Sequence, residues 1–105
     1  MNLTEGQTRD LVARIVDAAH PARIVLFGSA ARGQAGPNSD IDVLVVTQED
    51  AHRRKTAQAI YRRLLGSGLP VDVVVAKPSD LEKYGQTAGL VYREALREGR
   101  DLYVA

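Results

Sequence analysis

The chain has 105 residues, 45% hydrophobic and 26% charged, and its 14 Lys and Arg nearly balance 13 Asp and Glu to leave a net charge of +1. That balance supplies no global field toward nucleic acid or membrane, and the absence of cysteine excludes disulfides and thiolate metal sites. No apolar run approaches the about 20 residues of a membrane span, and the opening MNLTEGQTRDLV has neither the basic nor the apolar segment of a signal peptide. The expectation is one cytoplasmic domain over residues 1–105.

Thr4 with Gln7 predicts a capping box, and Leu11, Val12, Ile15, Val16 and Ala19 recur at helical spacing, so the first segment reads as a helix. His20-Pro21 ends it, and His20 reads as a helix-end residue and not a ligand. Arg23 to Phe27 is an apolar run of strand length. Ser29 to Arg32 predicts one helical turn starting at a Gly28-Ser29 corner. Gln34 to Ser39, with Gly36 and Pro37, reads as a loop. Asp40 to Val46 is the second strand.

A helix is expected from about Asp50 to Leu65, with Ala57, Ile60, Tyr61, Leu64 and Leu65 as its buried stripe. Gly66-Ser67-Gly68 stops it, and Pro70 leads into a strand at Val71 to Val75. Ser79 with Glu82 predicts a capping box that opens a short helix after Pro78. Leu90 to Glu98 is the last helix, ended by Gly99, and Leu102 to Val104 adds a small terminal strand. Alternation of this kind predicts an α/β (α+β) layer, a sheet of three to four strands with helices packed on it. The link from Phe27 to Asp40 is too short for a βαβ crossover, so the first two strands should be antiparallel and the sheet mixed.

Alternation along the second strand puts Asp40, Asp42 and Leu44 on one face and Ile41, Val43 and Val45 on the other. Carboxylates two residues apart on a strand stand about 6–7 Å from each other. Such a pair is too costly to bury for packing alone and calls for a cation. Mg²⁺ suits one or two carboxylates with phosphate oxygens and water. Two such ions about 3.5–4 Å apart can stabilise an in-line displacement at phosphorus. Gly28-Ser29 offers backbone N–H groups and a hydroxyl to an anion. Asp72 is a lone charge in the β-branched run Val71 to Val75, and it needs a partner. Beside the second strand it would complete the acidic site, ligate metal and accept a proton from an attacking hydroxyl. Otherwise it pairs with an arginine of a neighbouring element. Arg32 either contacts phosphate, which suits a guanidinium, or pairs with Asp40.

Phe27-Gly28-Ser29, ten residues, then Asp40-Ile41-Asp42-Val43 resembles the pattern of the DNA polymerase β-type nucleotidyltransferase superfamily. The longer stretches Gly28-Ser29-Ala30-Ala31-Arg32-Gly33 and Ser39-Asp40-Ile41-Asp42-Val43-Leu44-Val45 resemble its minimal nucleotidyltransferase (MNT) branch. Glu94 to Tyr103 is similar to the way those short domains end. The resemblance implies the nucleotidyltransferase fold, with Gly28 and Ser29 holding the triphosphate, Asp40 and Asp42 holding metal and Asp72 as the third catalytic carboxylate; Arg32 joins the nucleotide site if its phosphate alternative holds. It implies two Mg²⁺ ions and ATP as substrate. It further implies an antitoxin that transfers AMP to a tyrosine hydroxyl of a small helical HEPN-like partner, an RNase toxin.

The alternative is a non-catalytic binding module that neutralises a helical partner by contact and retains a vestigial nucleotide site. Direct nucleic-acid binding is not expected. The basic stretch His52 to Lys55, with Arg62 and Arg63, has only Tyr61 as an interleaved aromatic. It reads as a solvated helix face or a partner contact.

Overall fold

The computed structural model describes residues 3–33, 40–87 and 90–105; the loop expected at Gln34 to Ser39 lies outside them. The chain order is α1 (Glu5–Ala19), β1 (Arg23–Phe27), α2 (Gly28–Ala31), β2 (Ile41–Val46), α3 (Arg53–Leu64), β3 (Val71–Ala76), α4 (Pro78–Tyr84), α5 (Val91–Glu98) and β4 (Arg100–Val104). The strands form one sheet in the order β3-β2-β1-β4. β1 pairs antiparallel with both β2 and β4, while β2 and β3 are parallel and joined through α3. The sheet is therefore mixed, as the short β1–β2 link required.

Local chemistry starts the first helix where the sequence expects it. Thr4 Oγ1 accepts from the Gln7 N–H at 3.0 Å, and Gln7 Oε1 accepts from the Thr4 N–H at 2.9 Å. His20 closes the helix in the left-handed conformation at φ 44, its N–H donating to the Val16 carbonyl. Replacing Thr4 with alanine should cost about 1 kcal/mol, or about 4–8 °C in Tm for a domain of this size. Thermal denaturation followed by circular dichroism checks this, and an unchanged Tm would mean that the cap contributes nothing.

Helices on both faces explain the continuous apolar runs of β1 and β2. On one face α1 and α3 bring Leu11, Ile15, Ile60 and Leu64 onto Ile24, Leu26, Ile41, Val43, Val45, Val73 and Val75. On the other, Ala95 of α5 joins Val25, Phe27, Leu44, Val46 and Ala76. The two faces of β2 thus divide as its alternation predicts. Arg14 ties α1 to the end of α3 by donating to the carbonyls of Arg63 at 2.7 Å and Leu65 at 3.3 Å.

Two local expectations are corrected. The stripe expected along α3 includes Ile60 and Leu64, with Ala57 partly buried, but Leu65 is 76% exposed and Tyr61 40%. α3 ends at Leu64, so Leu65 leaves the helical face, and Tyr61 lies at the margin beside the β3 edge. Ser79 does not cap α4: the helix begins at Pro78, and the Asp80 carboxylate accepts from the Lys77 N–H at 2.9 Å. Proline supplies no N–H and fits the first helical position, so the start moves one residue upstream of Ser79. Arg53 clasps the same carboxylate at 2.8 and 2.7 Å. With Arg63 paired to Asp17, two cations of the basic α3 are engaged within the chain.

Candidate functional site

Strand directions gather the sequence-predicted residues at one end of the sheet. β1 is antiparallel to β2, so its last residue, Phe27, pairs with Asp42 near the start of β2. β3 is parallel to β2 and begins at the same end, with Asp72 directly opposite Asp42. The turn from β1 into α2 therefore lies against the first carboxylates of β2.

Gly28 is buried at φ +71, and a Cβ there would collide with Asp42 Oδ2. Only a residue without a side chain gives this turn both its left-handed backbone and its approach to the carboxylate. Ser29 follows, half-buried, in the single turn of α2. Asp40 is exposed and immediately precedes β2, and Asp72 is exposed on β3. Asp42 is half-buried between them.

The electrostatics are those of a like-charge cluster. Burial, then the carboxylates of Asp72, Asp40 and Glu94, raise the Asp42 carboxyl above its ordinary range. A cation at this end of the sheet would relieve the repulsion. Among the described residues, no group of three or more His, Asp or Glu side chains is placed so that it could hold a metal ion. The donor set still fits Mg²⁺, which needs only one or two carboxylates and completes its shell with substrate phosphate and water.

Arg32 stands apart from the acids of β2. Its guanidinium lies 3.4 Å from Glu94 and 3.5 Å from Glu98 on α5, so the expected alternative of pairing with Asp40 is replaced by pairing with α5. The reason is topological: the Arg32 end of α2 faces α5, whose Glu94 and Glu98 are one helical turn apart and present two carboxylates to one guanidinium. Glu94 is a neighbour of the Asp42 carboxyl that sequence reasoning misses; its signal is an acidic i,i+4 pair on the last helix. Tyr61 fits the core stripe by spacing, yet its phenol reaches Asp72, with 3.3 Å between the oxygens.

A family model described as "Nucleotidyltransferase domain" matches residues 8–102. The mixed sheet, with a Gly-Ser turn at the end of one strand and carboxylates at the starts of two others, thus has its class: the chain belongs to the nucleotidyltransferase domain family. Among solved structures the chain is similar to a toxin-antitoxin structure with AMP-PNP, at 20% identity over 93% of this chain and 73% of that one, with a TM-score of 0.68. It is also similar to a tri-AMPylated Shewanella oneidensis HEPN toxin in complex with MNT antitoxin, at 16% identity over 98% and 74%, TM-score 0.64. A third, from Sulfolobus solfataricus and assigned as a nucleotidyltransferase, has 19% identity over 91% and 76%, TM-score 0.61. At these identities the likeness is one of fold. No curated protein sequence matches the chain. No helix among the described residues is long and apolar enough to cross a membrane.

Proposed function

We propose that this chain is a metal-dependent nucleotidyltransferase that moves AMP from ATP to a hydroxyl of a small helical partner protein, as the antitoxin of a HEPN-type RNase toxin. The observation that carries the reading is the register of Asp42 beside Asp72 on parallel strands, with Asp40 two residues upstream and Gly28 against the Asp42 carboxylate. The family match supports nucleotidyl transfer. The HEPN toxin–MNT antitoxin complex among the similar folds, with its AMPylated toxin, favours a protein acceptor.

In this reading Asp40, Asp42 and Asp72 hold divalent cation, and Gly28 and Ser29 receive the triphosphate. Bound Mg²⁺ supplies charge neutralisation and Lewis-acid polarisation of the phosphoryl oxygens. The acceptor oxygen forms a bond to the α-phosphorus as the bond from that phosphorus to the pyrophosphate oxygen breaks. Pyrophosphate leaves, and the acceptor proton goes to Asp72. No covalent enzyme intermediate is needed, because alignment and charge neutralisation carry the step. Arg32 reaches the phosphates by exchanging its α5 carboxylates for them, and a guanidinium matches that geometry.

The test is mass spectrometry of a small helical HEPN-type protein, sought in the reading frame beside this chain's gene, after incubation with this chain, ATP and Mg²⁺. A gain of one or more nucleotide masses on a tyrosine is expected. Asp72→Asn should block the gain more than it weakens ATP–Mg²⁺ binding, since the loss of the acceptor-proton base falls on the transfer step. A tight, inhibited complex with no mass gain, formed equally well by Asp72→Asn, would establish the binding module instead.

A further inference from the structure

We infer that Tyr61 is a positioning residue for the Asp72 carboxylate, holding one of its oxygens at the edge of the sheet and leaving the other to the chemistry. The inference rests on the reading of Asp72 as a metal ligand and proton acceptor. It starts from a hydrogen-bond pattern that admits one polarity. The Tyr61 oxygen accepts from the backbone N–H of Val73 at 2.8 Å and stands 3.3 Å from Asp72 Oδ1. A phenol has a single proton, and an ionised carboxylate can only accept. With the backbone N–H filling the acceptor role, the phenol proton is directed at Asp72.

The anchoring explains why a half-exposed tyrosine can set the geometry of its neighbour. β3 is an edge strand, so the Val73 N–H points away from β2 and finds no strand partner. Tyr61 comes from α3, whose Ile60 and Leu64 are locked in the core on either side of it. The phenol is thus fixed at its base by helix packing and at its tip by the main chain. Asp72, exposed on the edge, would otherwise sample several rotamers, and a mis-set ligand loses affinity and rate. The bond to Oδ1 removes that freedom and leaves Oδ2 available. Partners that orient a metal ligand in this way are worth about 10–100-fold in affinity or activity. The competing role is structural, in which Tyr61 only covers the β3 edge and satisfies Val73.

A double-mutant cycle on the full chain separates the two roles, using Tyr61→Phe, Asp72→Ala and the pair. Mn²⁺ is titrated in the presence of AMP-PNP, and Tm is measured in parallel. Positioning predicts that Tyr61→Phe weakens Mn²⁺ binding about tenfold in the parent and leaves it unchanged in the Asp72→Ala background. In the transfer assay it lowers kcat about tenfold with little change in KM for ATP. An equal effect of Tyr61→Phe on Mn²⁺ affinity in both backgrounds overturns the inference, as does a loss of Tm with unaltered Mn²⁺ affinity. An Asp72→Ala variant that binds Mn²⁺ as the parent does also overturns it. A parent that couples Tyr61 to Mn²⁺ through Asp72 but transfers nothing sustains the inference and removes the transfer reading.

Discussion

Asp42→Asn is expected to lower nucleotidyl transfer by more than about 100-fold, the upper cost of deleting even an outer-shell partner of a metal site, while the metal-free protein remains at least as stable as the parent. The first part follows from the position of Asp42 between Asp40 and Asp72. The second follows from its titration. Burial and the neighbouring carboxylates raise the Asp42 carboxyl in the fold, so the folded chain holds that proton more tightly than the unfolded one. The favourable contribution is complete below the unfolded carboxylate value and is lost as pH rises through the raised folded value. At neutral pH the ionised Asp42 is a strain that asparagine relieves.

Tm should therefore be measured in a chelator across that window, as the difference between parent and Asp42→Asn. The variant should gain on the parent as pH rises from the ordinary carboxylate range toward neutrality. The difference is the proper quantity, because Asp80 works the other way. Its carboxyl is held low by the Lys77 N–H and by Arg53, and it loses its contribution on acidification in both proteins. Unchanged turnover in Asp42→Asn would remove Asp42 from the metal site, and a large fall in Tm would assign it a structural role.

Gly28→Ala should be the most damaging small substitution at the site. A left-handed residue with a Cβ costs about 1–2 kcal/mol, or about 5–15 °C in Tm for a domain of this size. The new methyl would also push on Asp42 Oδ2. Gly66→Ala provides the control, since Gly66 has φ +83 but no heavy atom within 4 Å of the place its methyl would take. Both variants bear the backbone cost, and both gain the same benefit from a stiffer unfolded chain. The extra loss in Gly28→Ala then reports the contact with the carboxylate. Binding of ATP–Mg²⁺ by calorimetry should fall with it and remain intact in Gly66→Ala. Equal stability and equal binding in the two variants would show that the close approach of Gly28 to Asp42 is unimportant.

Much of this arrangement was legible in one dimension because it is governed by short-range rules. The Thr4–Gln7 box depends on atoms three residues apart, and it forms as its spacing predicts. The two faces of β2 follow from a period of two, which no tertiary contact can alter without breaking the strand. The antiparallel relation of β1 and β2 follows from the length of the link between them. The mutual placement of Gly28, Asp40 and Asp42 follows in turn, because one tight connection joins the two strands.

Features that depend on which distant element lies alongside needed the folded chain. Asp72 could be recognised as anomalous in its β-branched run, but its position opposite Asp42 is a register between strands separated by a whole helix. Tyr61 fits an apolar stripe by spacing. It reaches Asp72 only because β3 is an edge strand whose Val73 N–H is open to a side chain from α3. Arg32 had a phosphate or Asp40 as local choices, and the packing of α2 beside α5 gave it Glu94 and Glu98 instead. The strands, the Thr4–Gln7 cap and the paired carboxylates were thus readable from the residues alone, because they arise from near-neighbour sterics and periodicity. The tertiary structure alone decided the partners of Asp72, Tyr61 and Arg32, because contact between remote segments depends on how whole elements pack to bury a shared core.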